Sequence, residues 1–244
     1  MKTSEYIENK INRLPKSYVF TYVDFLIEVN KREAIIKHLN RLVQSGKINK
    51  LSKGKYYKPQ ESVFGTLLPE QYQIVKDLLE EVGRKRIGYI TGYTVYNQLG
   101  FTTQLSNSIQ IGTQNTRPKL KRGRFIISFI KQKNTINNEN IPLLRLLDVI
   151  RFIKKIPDTT VDKSCTRLLE LIRDLRPDQK TQIIKLAFKY GPGTRALLGA
   201  LLATTNFRDE SMLNDLFESL NPITNYKIPV SEAILPTANY WYIV

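Results

Sequence analysis

The sequence predicts an α+β protein in three parts: a helical segment ending in a basic ribbon (residues 1–60), a small mixed α/β middle (61–134) and a mainly helical remainder (135–244). Three observations predict it. Apolar residues recur at helical spacing up to Ser45 and again beyond Asn140. Gly, Pro and Asn punctuate the stretch between, where the apolar runs are short. The charge also changes from part to part. Residues 1–60 carry 13 basic and 5 acidic side chains, residues 61–134 carry 11 and 5, and residues 135–244 carry 14 and 12. Nearly all of the net +16 therefore precedes residue 135. A basic half joined to a nearly neutral half points to one part that meets a polyanion and another with a different task.

In chain order, Ile7, Ile11 and Leu14 form one face of a first helix that stops at Pro15. Thr21 caps a second, Tyr22 to about Val29, offering Val23, Leu26 and Ile27 to a core. Asn30 with Glu33 has capping-box spacing and opens a third helix, Lys31 to about Ser45, closed by Gly46. Ile35, Leu39, Leu42 and Val43 make its apolar stripe, while Lys31, Arg32, Ile36, Lys37, Asn40 and Arg41 lie off it or at its edge. Lys47–Leu51 and Tyr56–Pro59 then read as two strands turning at Gly54, with Lys53 and Lys55 at the tip. Three helices and a basic hairpin in sixty residues is the layout of a winged helix-turn-helix. In that layout the third helix enters the major groove of DNA and the wing lies on phosphates. Lys31, Arg32, Lys37, Asn40 and Arg41 are the candidate groove residues, and Lys53 and Lys55 the candidate phosphate contacts. A basic three-helix unit that binds another protein is the competing reading.

The middle part offers a helix over 69–82, a segment Gly88–Tyr93 leading into a helix at Thr94–Leu99, a strand at Ile109–Thr113 and a hairpin over 120–130 turning at Arg122-Gly123. Arg117, Lys119, Lys121, Arg122 and Arg124 cluster at that hairpin, either to meet nucleic acid or to guard a strand edge. Asn134–Asn140 is polar and aperiodic, a linker by composition. Five helices are expected beyond it: Leu143–Lys155, one capped by Thr159 or Thr160 and running to Leu175, one from Asp178 to Tyr190, Arg195–Ala203 and Asp209–Leu220. An apolar tail with Tyr240-Trp-Tyr-Ile-Val is expected to pack on them.

Composition excludes several classes. One Cys and one His, Cys165 and His38, allow neither an internal disulfide nor a Cys/His zinc site. No nucleophile–His–carboxylate arrangement, carboxylate cluster or P-loop spacing is present, so no catalytic role, cofactor or metal is expected. Gly191-Pro-Gly-Thr-Arg could cradle a phosphate at a helix start, but a plain turn with a capping Thr194 accounts for it as well. No apolar run approaches the about 18 residues of a membrane span, and Ala196–Ala203 is the longest candidate. Without a secretory leader in Met1–Tyr6, a cytoplasmic protein is expected.

Several blocks resemble the AbiEi-type antitoxins. They are Val19-Phe-Thr, the run Lys31-Arg-Glu-Ala-Ile-Ile-Lys-His-Leu-Asn-Arg-Leu-Val-Gln-Ser-Gly-Lys-Ile, Gly54-Lys-Tyr-Tyr-Lys-Pro and Asn97-Gln-Leu-Gly-Phe-Thr-Thr-Gln. Ile109-Gln-Ile-Gly-Thr, Gly191-Pro-Gly-Thr-Arg-Ala-Leu-Leu and the ending at Trp241 add to them. The resemblance implies the antitoxin of a type IV abortive-infection system, which represses its own operon by binding inverted repeats in the promoter. It also implies antagonism of a nucleotidyltransferase-fold toxin without a stable complex. The positions it carries over are Lys31, Arg32, Lys37, Asn40, Arg41, Lys53 and Lys55, while Ile36 stands where the family pattern is polar. Two alternatives remain: a stand-alone winged-helix regulator whose C-terminal half senses a ligand or dimerises, and a nucleic-acid enzyme such as a nuclease.

Overall fold

The computed structural model describes residues 3–26, 31–63, 65–81, 83, 85–205 and 207–244. The chain begins with α1 (Thr3–Arg13), β1 (Val19–Phe20), a 3₁₀ turn (Tyr22–Phe25), α2 (Arg32–Gln44), β2 (Asn49–Ser52) and β3 (Lys55–Tyr57). It continues with β4 (Gln60–Ser62), β5 (Gly65–Leu67), α3 (Gln71–Leu79), β6 (Gly88–Thr91), α4 (Tyr93–Gln98), β7 (Ser108–Thr113), β8 (Leu120–Arg122) and β9 (Phe125–Lys131). The remainder is helical: α5 (Asn140–Arg151), α6 (Val161–Arg173), α7 (Pro177–Ala187), α8 (Pro192–Thr204) and α9 (Glu210–Glu218), with short 3₁₀ turns at Ile153–Lys155 and Asn239–Trp241. The class is α+β, as the sequence predicts.

Two compact units divide the chain: residues 1–77 with 120–127, and residues 78–119 with 128–244. The three-part division by composition thus meets a two-part division by packing. The hairpin tip at 120–127 leaves the middle segment and joins the first unit. The expected linker is not one either. Asn134, Ile136 and Asn140 are buried, and Asn134 donates from Nδ2 to the Leu186 carbonyl at 3.0 Å. Its polar residues are there to satisfy one another and the backbone inside the second unit.

In the first unit, α1, the 3₁₀ turn, α2 and a three-stranded sheet in the order β1-β3-β2 form the winged-helix layout. Ile7 and Ile11 of α1, Phe20, Phe25, Ile35, Leu39 and Leu42 of α2, Ile48 and Tyr56 share one core. The Thr21 cap is present: its hydroxyl accepts from the Val23 N–H at 3.2 Å, and Asp24 accepts from the Thr21 N–H at 2.7 Å. The helix it opens has 3₁₀ winding, three residues per turn, which turns the expected face around. Val23 is 53% exposed and Phe25 is buried in its place. The Asn30 cap and the Ile27 core position lie outside the described residues.

In the second unit, β6 pairs antiparallel with β7, and the sheet continues to β9, whose first residues pair with β8. The helices gather around α8, whose residues from Ala196 to Leu202 are all buried. A helix apolar on every side must be enclosed on every side. α5, α6, α7 and α9 pack on it, and so does the C-terminal tail. The tail docks through Trp241, which is 1% exposed, and pairs its backbone with Tyr226 and Ile228. Gly199 is what allows this: a Cβ there would overlap the six-membered ring of Trp241. Two helix starts differ from expectation. Pro177 is the first residue of α7 with Arg176 as its cap, and Asp178 pairs with Arg176 instead of capping. α8 begins at Pro192 with Gly191 as its cap, so Thr194 is a first-turn residue.

One buried carboxylate fastens sheet to helices. Asp148 of α5 accepts from the hydroxyls of Tyr89 (2.7 Å) and Thr91 (2.9 Å) on β6 and of Tyr190 (3.0 Å) after α7. The Gln132 amide donates to Tyr89 at 2.9 Å and to Tyr190 at 2.7 Å, closing the network. Burial raises the Asp148 carboxyl to about 6 even though three hydroxyls stabilise its charged form.

Two outcomes are expected. Gly199→Ala lowers stability by about 1–3 kcal/mol, read as a drop in melting temperature, because the tail must move off α8. Because the folded-state pKa of Asp148 lies above its unfolded value, its contribution is full below pH 4 and is lost as pH rises through about 6. Asp148→Asn should flatten that decline in urea titrations between pH 4 and 7.

Candidate nucleic-acid interface

The apolar stripe of α2 faces the core, which leaves Lys37, Asn40 and Arg41 exposed on its other side, with Arg32 exposed in the first turn and Lys31 exposed as the cap residue before it. Three of the seven candidate residues thus share one exposed face of the helix, and two more stand at its start. Lys37 and Arg41 stand four residues apart, a spacing at which like charges repel. Among the described residues no carboxylate forms an ion pair with Lys31, Arg32, Lys37, Arg41 or Lys53, and Glu33, four residues before Lys37, is the acidic side chain of that helix. Arg32 lies over the Tyr22 ring at 4.9 Å, which holds its guanidinium without neutralising it. Asn40 is oriented by the sheet: its Oδ1 accepts from the Tyr56 hydroxyl at 3.1 Å, so its amide N–H groups remain to donate outward. Burial raises the Tyr56 phenol above its usual range, which keeps that hydroxyl protonated as the donor.

The wing turns at Gly54, whose φ of +73° suits glycine. Lys53 is exposed at this turn. Lys55 has a different setting. Its ammonium lies 2.9 Å from Asp77 of α3, and its side chain is 16% exposed. Asp77 also accepts two bonds from the Arg122 guanidinium, at 2.6 and 2.9 Å, and Arg122 donates in addition to the Ile74 carbonyl at 2.6 Å. Burial of Asp77 works to raise its carboxyl, and the bonds from Arg122 and Lys55 outweigh that and hold it below the usual range. This cluster draws Arg122 out of the basic group read from the sequence. Arg117 lies over Phe129 at 5.5 Å, also apart from it. Lys121 and Arg124 stay exposed on either side of the hairpin turn, where the Gly123 N–H donates to the Leu51 carbonyl of β2 at 3.1 Å. Lys50, on that same strand, is exposed too, a position the sequence reading passed over. Its signal was alternation, since Leu51 beside it points into the unit.

Other cations in this unit do structural work. Lys47 pairs with Glu8 of α1 at 2.8 Å. Lys58 closes the end of α1 by donating to the Asn12 and Leu14 carbonyls. His38 lies 3.4 Å from Glu8 and is half-buried at the helix contact. Cys165 is buried, its thiol pushed up to about 12 by desolvation, so it stays protonated and inert. Among the described residues no three His, Cys, Asp or Glu side chains could hold a metal ion, and no helix is long and apolar enough to cross a membrane.

Fold and exposed face together define a winged helix-turn-helix unit joined to a helical unit, with cations concentrated on α2 and the wing. The chain belongs to a family of unknown function, DUF6088, which it matches over residues 6–184. No curated protein sequence matches it. Among solved structures, the crystal structure of the RV2827C protein from Mycobacterium tuberculosis is similar, with a TM-score of 0.58 over 91% of this chain and 83% of that one. The two are 11% identical, so the likeness is one of fold.

The Asp77 cluster has a measurable consequence. Asp77→Asn should lower stability by about 2 kcal/mol, less than the about 3–5 kcal/mol of a fully buried pair because Asp77 is partly exposed. With its folded-state pKa depressed, its contribution is present above the ordinary carboxylate range and fades as pH falls. The variant should therefore lose part of the acid-side slope in melting curves from pH 6 to pH 3.

Proposed function

We propose that this protein binds double-stranded DNA through its winged helix and represses the operon that encodes it, as the antitoxin of an AbiEi-like, type IV toxin–antitoxin pair. The observation that carries the DNA reading is the set of exposed cations without ion pairs along α2 and at its start, continued by Lys53 on the wing. A polyanion is the partner that removes their repulsion, and a duplex presents phosphates on both sides of a groove wide enough for a helix. In this reading α2 lies in the major groove, with Asn40 and Arg32 pre-set to donate to base edges. Lys31, Lys37, Arg41 and Lys53 meet phosphates. Lys55 serves the wing from behind, through Asp77. Inverted repeats in the promoter would match a paired arrangement of two copies. The antitoxin half of the proposal rests on the blocks shared with AbiEi-type proteins, which extend to Trp241. The functional partner would be a nucleotidyltransferase-fold toxin, opposed without a lasting complex, and the setting would be the cytoplasm.

Gel shifts with the upstream DNA and with random DNA test the first half. Arg32→Ala and Asn40→Ala should each cost about 1–3 kcal/mol on the specific site and little on random DNA. Lys53→Ala should weaken both alike, and wild-type affinity should fall steeply with salt. Unchanged binding in all three variants would end the DNA reading. For the second half, co-expression with the neighbouring gene should relieve growth arrest, and an isolated gene without such a neighbour would favour the stand-alone regulator.

A further inference from the structure

We propose that the second unit binds the phosphate group of a nucleotide in a cavity at the start of α8. This does not rest on the winged-helix reading, since every residue of the cavity belongs to the second unit. The cavity has a volume of about 340 Å³, within the about 300–1,000 Å³ of small-molecule sites. Four cations line it, Lys131, Lys133, Arg151 and Lys189, and no carboxylate does. None of the four is in an ion pair among the described residues. Lys131 donates to the Gln114 carbonyl and Arg151 lies over the Phe152 ring at 4.9 Å and donates to the Lys131 carbonyl at 3.5 Å, while among the described residues the Lys133 and Lys189 ammonium groups make no hydrogen bond or ion pair. All four are exposed and so partly screened, yet four positive charges around one recess favour an anion there.

The start of α8 faces the same recess. α8 has 13 residues, so its peptide dipoles sum to a full positive end. Gly191 caps it without a side chain to close it, and Pro192 follows. A side chain marks the place where a ligand would be held. Thr194 is 7% exposed, its hydroxyl has no partner among the described residues, and the residue lines this cavity and a neighbouring one of about 320 Å³. That hydroxyl is not among the buried unpartnered atoms, so it opens on the recess beside the helix end, where it can donate to a ligand. Part of the wall is rigid: Gln132 and Tyr190 both line the cavity, and Tyr190 donates to Asp148 while Gln132 donates to Tyr89 and Tyr190. A site whose groups are already fixed loses little order on binding.

The size and one more residue turn a phosphate site into a nucleotide site. A lone phosphate would leave much of the volume empty. Phe188 at the rim is 39% exposed, a free aromatic face beside four cations, and such a face stacks on any base. The phosphate could belong to a free nucleotide or to the end of a strand. The spacing differs from a P-loop, so the cradle here is cations plus one helix end and not a glycine-rich loop.

Isothermal titration calorimetry on the full chain tests this with ADP, adenosine, inorganic pyrophosphate, and a tetranucleotide with and without a 5′-phosphate. ADP should bind, with adenosine at least about tenfold weaker. The double variant Lys133→Glu, Lys189→Glu should weaken ADP by at least about tenfold, whereas Lys163→Glu, Arg173→Glu, the same charge change on α6, should not. Thr194→Val should weaken it several-fold while leaving the circular dichroism spectrum unchanged. Binding of only the 5′-phosphorylated strand would identify a strand end as the source of the phosphate. The proposal is overturned if no phosphorylated probe binds at millimolar concentration, or if both double variants bind ADP as the wild type does. Because none of these probes is duplex DNA, the result is separate from that of the gel shifts.

Discussion

The second unit is organised by a carboxylate where no carboxylate would ordinarily sit. Asp148 has no exposure, and moving a charged group there from water is costly. What makes it tolerable is that three hydroxyls, two from β6 and one from the chain after α7, turn their protons to its two oxygens. A leucine at that position would satisfy α5 and leave the buried Tyr89 and Thr91 hydroxyls without their acceptor, and Tyr190 with only the long bond to the Leu144 carbonyl at 3.5 Å. The network therefore fixes which strand lies on which helix, because only one arrangement of β6, α5 and the chain after α7 satisfies every proton. It also reaches outward. Gln132 and Tyr190 hang from it and form the wall of the cationic cavity, so the position of that wall is set from the core.

The first unit uses the same device at its surface. Asp77 collects Arg122 and Lys55, and in doing so brings the hairpin of β8 and β9 beside the wing strand β2. The result is a division of labour among cations that net charge alone conceals. Lys47, Lys55, Lys58 and Arg122 are matched to acceptors inside the unit. Lys31, Lys37, Arg41, Lys50, Lys53, Lys121 and Arg124 are in no ion pair among the described residues. It is the second set, not the total of +16, that argues for a polyanionic partner.

Much of this was readable in the sequence, and the misses share a cause. The stripe Ile35, Leu39 and Leu42, the Thr21, Thr160 and Asp209 caps, the hairpin at Gly123 and the docking of Trp241 all follow from residues a few positions apart. Val23 and Phe25 exchanged places because three residues per turn and 3.6 give different faces over a single turn. The short strands β4, β5 and β6 carry too few residues for alternation to show. Asn134–Asn140 has the composition of a linker because a buried segment without secondary structure needs polar side chains for its own backbone, as a loop does. For the site, the α2 face was legible because it is one helix. The roles of Lys55 and Arg122 were not, since their shared partner lies 22 and 45 residues away in sequence.

The contrast between the two cationic regions is itself informative. On α2 the charges stand exposed along a convex helix, where each is hydrated and screened, so their value lies in number and spacing against a repeating anion. At the start of α8 the cations are exposed as well, but they surround a recess with a helix end and an unbonded hydroxyl, where a single doubly charged group can meet several of them at once. The first geometry suits a polymer that offers a phosphate every few ångströms. The second suits one phosphate presented at a time.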